Sequence, residues 1–83
     1  MNEPKKLTVK YFAVLREKTG KSQEEIETLA NSALELYVGL ANKYNFPLES
    51  SSIRVSINEE FRNMNDILHS GDSIIFIPPV AGG

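Results

Sequence analysis

Leu7, Val9 and Tyr11 alternate with Thr8, Lys10 and Phe12. That period of two predicts a half-buried strand and aims Phe12 away from the core. Leu15 to Lys18 read as one helical turn, stopped by Gly20. Residues 22–30, SQEEIETLA, fit two patterns. Ser22 with Glu25 is a capping box that opens a short helix, and propensity favours that state. Glu25, Ile26, Glu27 and Thr28 also suit a polar edge strand beside the first. Ser32 with Glu35 is a second capping box. Ala33, Tyr37, Leu40, Ala41 and Tyr44 then share one helical face, with Leu36 beside them, and Asn45 and Pro47 supply the stop. Gly39 in mid-helix costs about 1 kcal/mol relative to alanine. It reads as a point where the helix packs closely on a sheet.

Beyond a serine-rich loop, Ile53, Val55 and Ile57 alternate with Arg54 and Ser56, a second strand. Asn58-Glu59-Glu60 is a turn, Phe61-Arg62 a short return strand, and Asp66 to Leu68 a helical turn. Gly71-Asp72 turns the chain into a last strand, Ser73 to Ile77, which Pro78-Pro79 ends because proline cannot donate to a ladder. The result is an α+β chain with one main helix over one sheet. Ile74 and Phe76 face one side, Ile75 and Ile77 the other. Both faces of that strand are apolar, yet one helix covers one face.

At 83 residues the chain is one small domain. The domain is expected over residues 1–77, with 1–6 a loose lead-in and 78–83 a tail. Without cysteine and with one histidine it has no disulfide, no thiol nucleophile and no ordinary zinc site. Nine basic against eleven acidic residues, a net charge of −2, argue against nonspecific nucleic-acid binding. The longest apolar run, Ile74 to Ile77, is too short to span a membrane. The polar N-terminus is unlike a signal peptide, so the expected location is the cytoplasm.

The end of the chain, Pro78-Pro79-Val80-Ala81-Gly82-Gly83, carries the candidate chemistry. Two prolines favour an extended exit. Fully stretched, these residues reach roughly 20 Å. Side chains shrink toward the tip, and glycine permits close approach to a partner backbone. The carboxylate of Gly83 has no neighbouring Cβ, so it is an unhindered acyl group that can be activated, for example as an adenylate, and handed to a nucleophile.

Three stretches carry a resemblance: VKYFAVLRE with Gly20, SINEEF, and LHSGDSIIFIPPVAGG. With them the chain resembles the small subunits of molybdopterin synthase, sulfur carriers of molybdenum cofactor biosynthesis. The resemblance implies a ubiquitin-like β-grasp, a mixed sheet with a helix across it, and makes residues 22–30 mostly strand. It implies that an E1-like adenylating enzyme uses ATP to adenylate Gly83, and that a sulfur donor system converts the adenylate to a thiocarboxylate. The chain itself is then expected to bind no cofactor. Pro78, Pro79, Val80, Ala81 and Gly82 would thread the tail into a large subunit, where sulfur passes to cyclic pyranopterin monophosphate. The family's assembly is a heterotetramer. Phe12, Phe61 and Ile77 match its apolar contact patch, which Ile75 joins, and Arg16 matches an arginine common there, placed to meet an acidic group. A chain without thiols has to carry sulfur on carbon, which fits an acyl carrier. Two alternatives share the tail: a ubiquitin-like modifier joined through Gly83 to lysines, and a sulfur carrier for another pathway. A plain interaction domain with an incidental Gly-Gly is the third. Asp72 reads as a structural hydrogen-bonding residue, and His69 as surface.

Overall fold

A computed structural model describes residues 3–79. The elements run β1 (Lys5–Tyr11), α1 (Ala13–Thr19), β2 (Gln23–Thr28), α2 (Ala33–Tyr44), a 3-10 turn (Ser50–Ser52), β3 (Arg54–Ile57), β4 (Glu60–Arg62) and β5 (Ser73–Ile77). One five-stranded sheet has the order β2-β1-β5-β3-β4. Its centre is the parallel pair β1–β5, and every other pairing is antiparallel. A parallel pair needs a long crossover, and α2 lies within it. This is the ubiquitin-like β-grasp arrangement, with two helices instead of one.

Alternation places Leu7, Val9 and Tyr11 of β1, Val55 and Ile57 of β3, and Ile74 and Phe76 of β5 on the inner face, all buried. Ala33, Leu36, Tyr37 and Leu40 of α2 cover them. Tyr37 meets Phe76 edge-on with ring centroids 5.3 Å apart, a favoured aromatic geometry. Ser32 caps α2 by accepting from the Glu35 N–H at 3.2 Å, and Glu35 Oε2 accepts from the Asn31 N–H at 3.1 Å. The far end stops at Asn45, in the left-handed region at φ 63°.

Within residues 22–30, Gln23–Thr28 form a strand, as the resemblance implied and against local propensity. Ile26 pairs with Leu7 on the inner face, while Gln23, Glu25 and Glu27 sit opposite Lys10, Thr8 and Lys6 on the outer one. Glu24 turns inward and accepts hydrogen bonds from the Tyr11 hydroxyl at 2.6 Å and the Tyr44 hydroxyl at 2.8 Å. Lys21 Nζ reaches its other oxygen at 3.1 Å. Burial opposes the charged carboxylate, but the bonds from Tyr11, Tyr44 and Lys21 outweigh it and hold Glu24 below the ordinary value. Burial first, and then the bond to Glu24, push the Tyr11 hydroxyl well above its usual value. Six register pairs with β1 and this inward knot decide the segment in favour of strand, as tertiary contacts often do over propensity.

Three local readings change. Helix α1 spans two turns, opened by Ala13 at φ 51° and closed by Gly20 at φ 74°. Gly39 is exposed, and an added Cβ would meet nothing within 4 Å, so close packing on the sheet is not its reason. Asp66 to Leu68 is no helical turn. Ile67 makes an isolated antiparallel bridge to Ser32, and the Leu68 N–H donates to the Asn31 carbonyl at 2.9 Å. These bonds pin the connection to the start of α2 and bury Leu68.

Candidate functional site: an apolar face at the base of the tail

The outer face of the sheet is built by the same alternation that builds the core. Register places Lys10, Ile75, Ser56 and Phe61 in one row across β1, β5, β3 and β4. The next row pairs Ile77 with Arg54, and Phe12 follows Tyr11 in step with Ile77. Phe12 is 51% and Phe61 73% exposed, whereas Ile75 and Ile77 are half-buried. Among the described residues no helix covers this face, so Phe12, Phe61, Ile75 and Ile77 form an apolar patch beside Lys10 and Arg54 that is open or half-open to water, as binding surfaces tend to be.

Two devices hold the aromatic residues there. Phe12 is the N-cap of α1 with extended backbone at φ −129°, and its side chain makes no cap bond. The positive φ of Ala13, a strained state for a residue with a Cβ, turns the chain sharply behind it. Phe61 sits on a hairpin whose turn residues Asn58 and Glu59 have φ 52° and 71°, the twist a two-residue hairpin requires. Buried Asp72 ties that turn down. Its oxygens accept from Asn58 Nδ2 at 2.9 Å and from the His69 N–H at 2.8 Å, and Asn58 Oδ1 accepts from the Ser73 N–H at 2.9 Å. Asp72 is thus structural, as the sequence indicated, and the His69 side chain lies at an exposed position.

Where β5 ends, the face runs into a largely apolar groove. Phe12, Val14, Leu48, Ile77 and Pro78 line it, with Pro47, Pro79, Arg16 and Glu17 also at its walls. Pro78 is buried and Pro79 exposed, so the chain leaves the body at this groove. Leu48 was not legible as a site residue. Its carbonyl accepts from the Tyr37 hydroxyl at 2.8 Å, which fixes the loop after α2 as one wall. A lone apolar pair following a helix stop was the available signal. Lys10 and Arg54 share the outward parity of Ile75 and Ile77, which is visible in the alternation.

Thus Phe12, Ile75, Ile77, Pro78, Pro79 and Arg16 come together around one end of the face, and Phe61 lies farther along it. Val80, Ala81, Gly82 and Gly83 lie outside the described residues. Among the described residues no three His, Cys, Asp or Glu side chains gather as a metal site, and no helix is long and apolar enough to cross a membrane. The side chains described here offer a surface for docking.

Comparison with known proteins matches this arrangement. The molybdopterin synthase sulfur carrier subunit of Haemophilus influenzae is 31% identical over 80 residues, which cover 93% of this chain and 99% of that protein. A solved complex of subunits 1 and 2 of the molybdopterin-converting factor from Helicobacter pylori contains a chain 26% identical to this one. Its TM-score is 0.63, and the match covers 94% of this chain and 99% of that one. The small archaeal modifier protein 1 of Methanosarcina acetivorans shares the fold, with TM-score 0.74 at 23% identity, covering 98% of this chain and 99% of that one. The ThiS family matches residues 9–83, strands, groove and terminal segment together, and the chain belongs to that family.

Proposed function

We propose that this chain is the sulfur-donating subunit of a molybdopterin synthase, carrying sulfur as a thiocarboxylate on Gly83. The observation that carries the reading is the convergence of an uncovered apolar face and groove on Pro78–Pro79, directly before the terminal Val-Ala-Gly-Gly. A body that docks beside its own C-terminus delivers that terminus into a partner's active site.

The chemistry follows from the acyl group. A carboxylate is a poor acceptor for sulfur because it has no leaving group. In an E1-like adenylating enzyme the Gly83 carboxylate attacks the α-phosphorus of ATP, and pyrophosphate leaves. A sulfide-level sulfur from a donor system then attacks the acyl carbon, AMP leaves, and a thiocarboxylate remains. ATP thus serves the activating enzyme. In the large subunit the thiocarboxylate sulfur attacks a carbon of cyclic pyranopterin monophosphate and displaces an oxygen substituent from that carbon, and water then cleaves the acyl–sulfur bond, which leaves the sulfur on the pterin and returns the Gly83 carboxylate. Each chain carries one sulfur, so a dithiolene takes two charged chains, consistent with a heterotetramer of two small and two large subunits. The Helicobacter complex of subunits 1 and 2 supports a large-subunit partner.

The likeness to a small archaeal modifier protein favours one second reading, conjugation of Gly83 to lysines of other proteins. Both readings share the adenylate and part only afterwards. Intact-mass analysis of the chain from its native host separates them. Sulfur carriage predicts exchange of one oxygen for one sulfur at Gly83. Conjugation without sulfur carriage predicts an all-oxygen terminus together with Gly-Gly remnants on lysines elsewhere, and that result would overturn the first reading.

A further inference from the structure

The outer face carries charge as well as apolar surface, and its pattern is one-sided. Lys10 stands beside Ile75 in register, and Arg54 stands opposite Ile77. The outward positions of β1, β5, β3 and β4 include no acidic residue. The outward acids Glu25 and Glu27 are confined to β2, the edge strand beside β1, where they stand opposite Thr8 and Lys6 while Lys10 stands opposite Gln23. Ion pairs among the described residues are Lys21–Glu24 and Arg62–Asp66, so Lys10 and Arg54 take part in none. The whole chain nevertheless carries a net charge of −2. A basic face on an acidic chain needs cations gathered there and anions excluded.

We propose that Lys10 and Arg54 read carboxylates on the docking partner, a folded protein surface that is apolar at its centre and acidic at two flanking points. The inference deepens the reading above and rests on it: the partner is the large subunit. The cations flank Ile75 and Ile77 on opposite sides, so two carboxylates set apart by an apolar patch would fix the register of the body, and with it the direction of the tail. A polyanion such as nucleic acid would find its phosphates held off by the isoleucines between the two charges. An apolar partner without acids would leave both cations facing low-dielectric surface, which is costly. Charges at the rim of such a contact act mainly on the association rate and its salt dependence.

The test is association of the full-length chain with the purified large subunit from the same host, followed between about 50 and about 500 mM NaCl. For the wild type the association rate constant is expected to fall about tenfold across that range. Lys10→Glu with Arg54→Glu is expected to slow association at least tenfold at low salt and to flatten or reverse the salt slope. The milder Lys10→Gln with Arg54→Gln, on exposed or half-exposed positions, is expected to show the same trend at smaller size with an unchanged melting temperature. Lys43→Glu, on an exposed position of α2, serves as the control and is expected to change neither. Wild-type binding with a salt-independent rate, or with reversal variants that associate normally, overturns the role of Lys10 and Arg54 and leaves the sulfur-carrier reading standing. A wild-type chain that does not bind the large subunit at any salt removes that reading, and this inference with it.

Discussion

The two faces of the sheet are made by one alternation and have opposite fates. Val9, Tyr11, Ile74 and Phe76 point inward and are at most 1% exposed under α2. Lys10, Phe12, Ile75 and Ile77, one residue out of step with them, form a face that no element among the described residues covers. The inner face is apolar beneath α2 apart from the bonded Glu24, and is closed by aromatic contacts. The outer face mixes apolar residues with two flanking cations and runs into a groove. Burial inside stabilises the domain, whereas apolar surface left outside contributes nothing to folding and has to be explained by another molecule. A strand apolar on both sides, with a helix for one, therefore points to an interface.

Substitutions can break or sharpen that contrast. The largest effect is expected inside. Phe76→Ala should cost about 3–5 kcal/mol, a large part of the stability of so small a domain, and lower the melting temperature steeply in a thermal scan. Phe61→Asp on the outer face should leave the melting temperature nearly unchanged, within about 0.5 kcal/mol, while weakening large-subunit binding tenfold or more in a titration. Unfolding by Phe61→Asp would show that the outer face is a second core. Glu24→Gln should cost about 1–2 kcal/mol, because it removes the charged acceptor of two tyrosine hydroxyls. Glu24 is held below its unfolded value, so its stabilisation is present above the ordinary carboxylate range and lost as pH falls through the folded value. Urea titrations at neutral and acidic pH should show the wild type losing more stability than Glu24→Gln as the medium is acidified. The smallest effect is a gain. Gly39→Ala should add up to about 1 kcal/mol, since the position is helical, exposed and open.

The central strands and α2 were legible in the sequence because each is decided by its own period and caps. Leu7 to Tyr11 and Ile53 to Ile57 alternate, and Ser32 with Glu35 opens a helix wherever it stands. The strand at residues 23–28 was left open between helix and edge strand by its local pattern and was decided by the resemblance, since the inward turn of Glu24 depends on hydroxyls from β1 and α2 that only the fold assembles. The parity of Phe12 and Ile77 placed them on the outer face, and the structure brings both to one groove. The Leu48 wall depends on a bond from Tyr37, eleven residues earlier, which no local pattern encodes. Gly39 was misread because a mid-helix glycine looks the same from sequence whether its surroundings are crowded or empty.

Dithiolene formation measured in a reconstituted reaction bears most directly on the account. The chain, charged as a thiocarboxylate at Gly83, is mixed with a molybdopterin synthase large subunit and cyclic pyranopterin monophosphate, beside the same chain lacking Gly82 and Gly83. The account predicts product from the charged chain alone, with both chains equally folded and docked by the same apolar face. Authentic thiocarboxylate that yields no product where another small subunit succeeds, or product from the shortened chain, would contradict it.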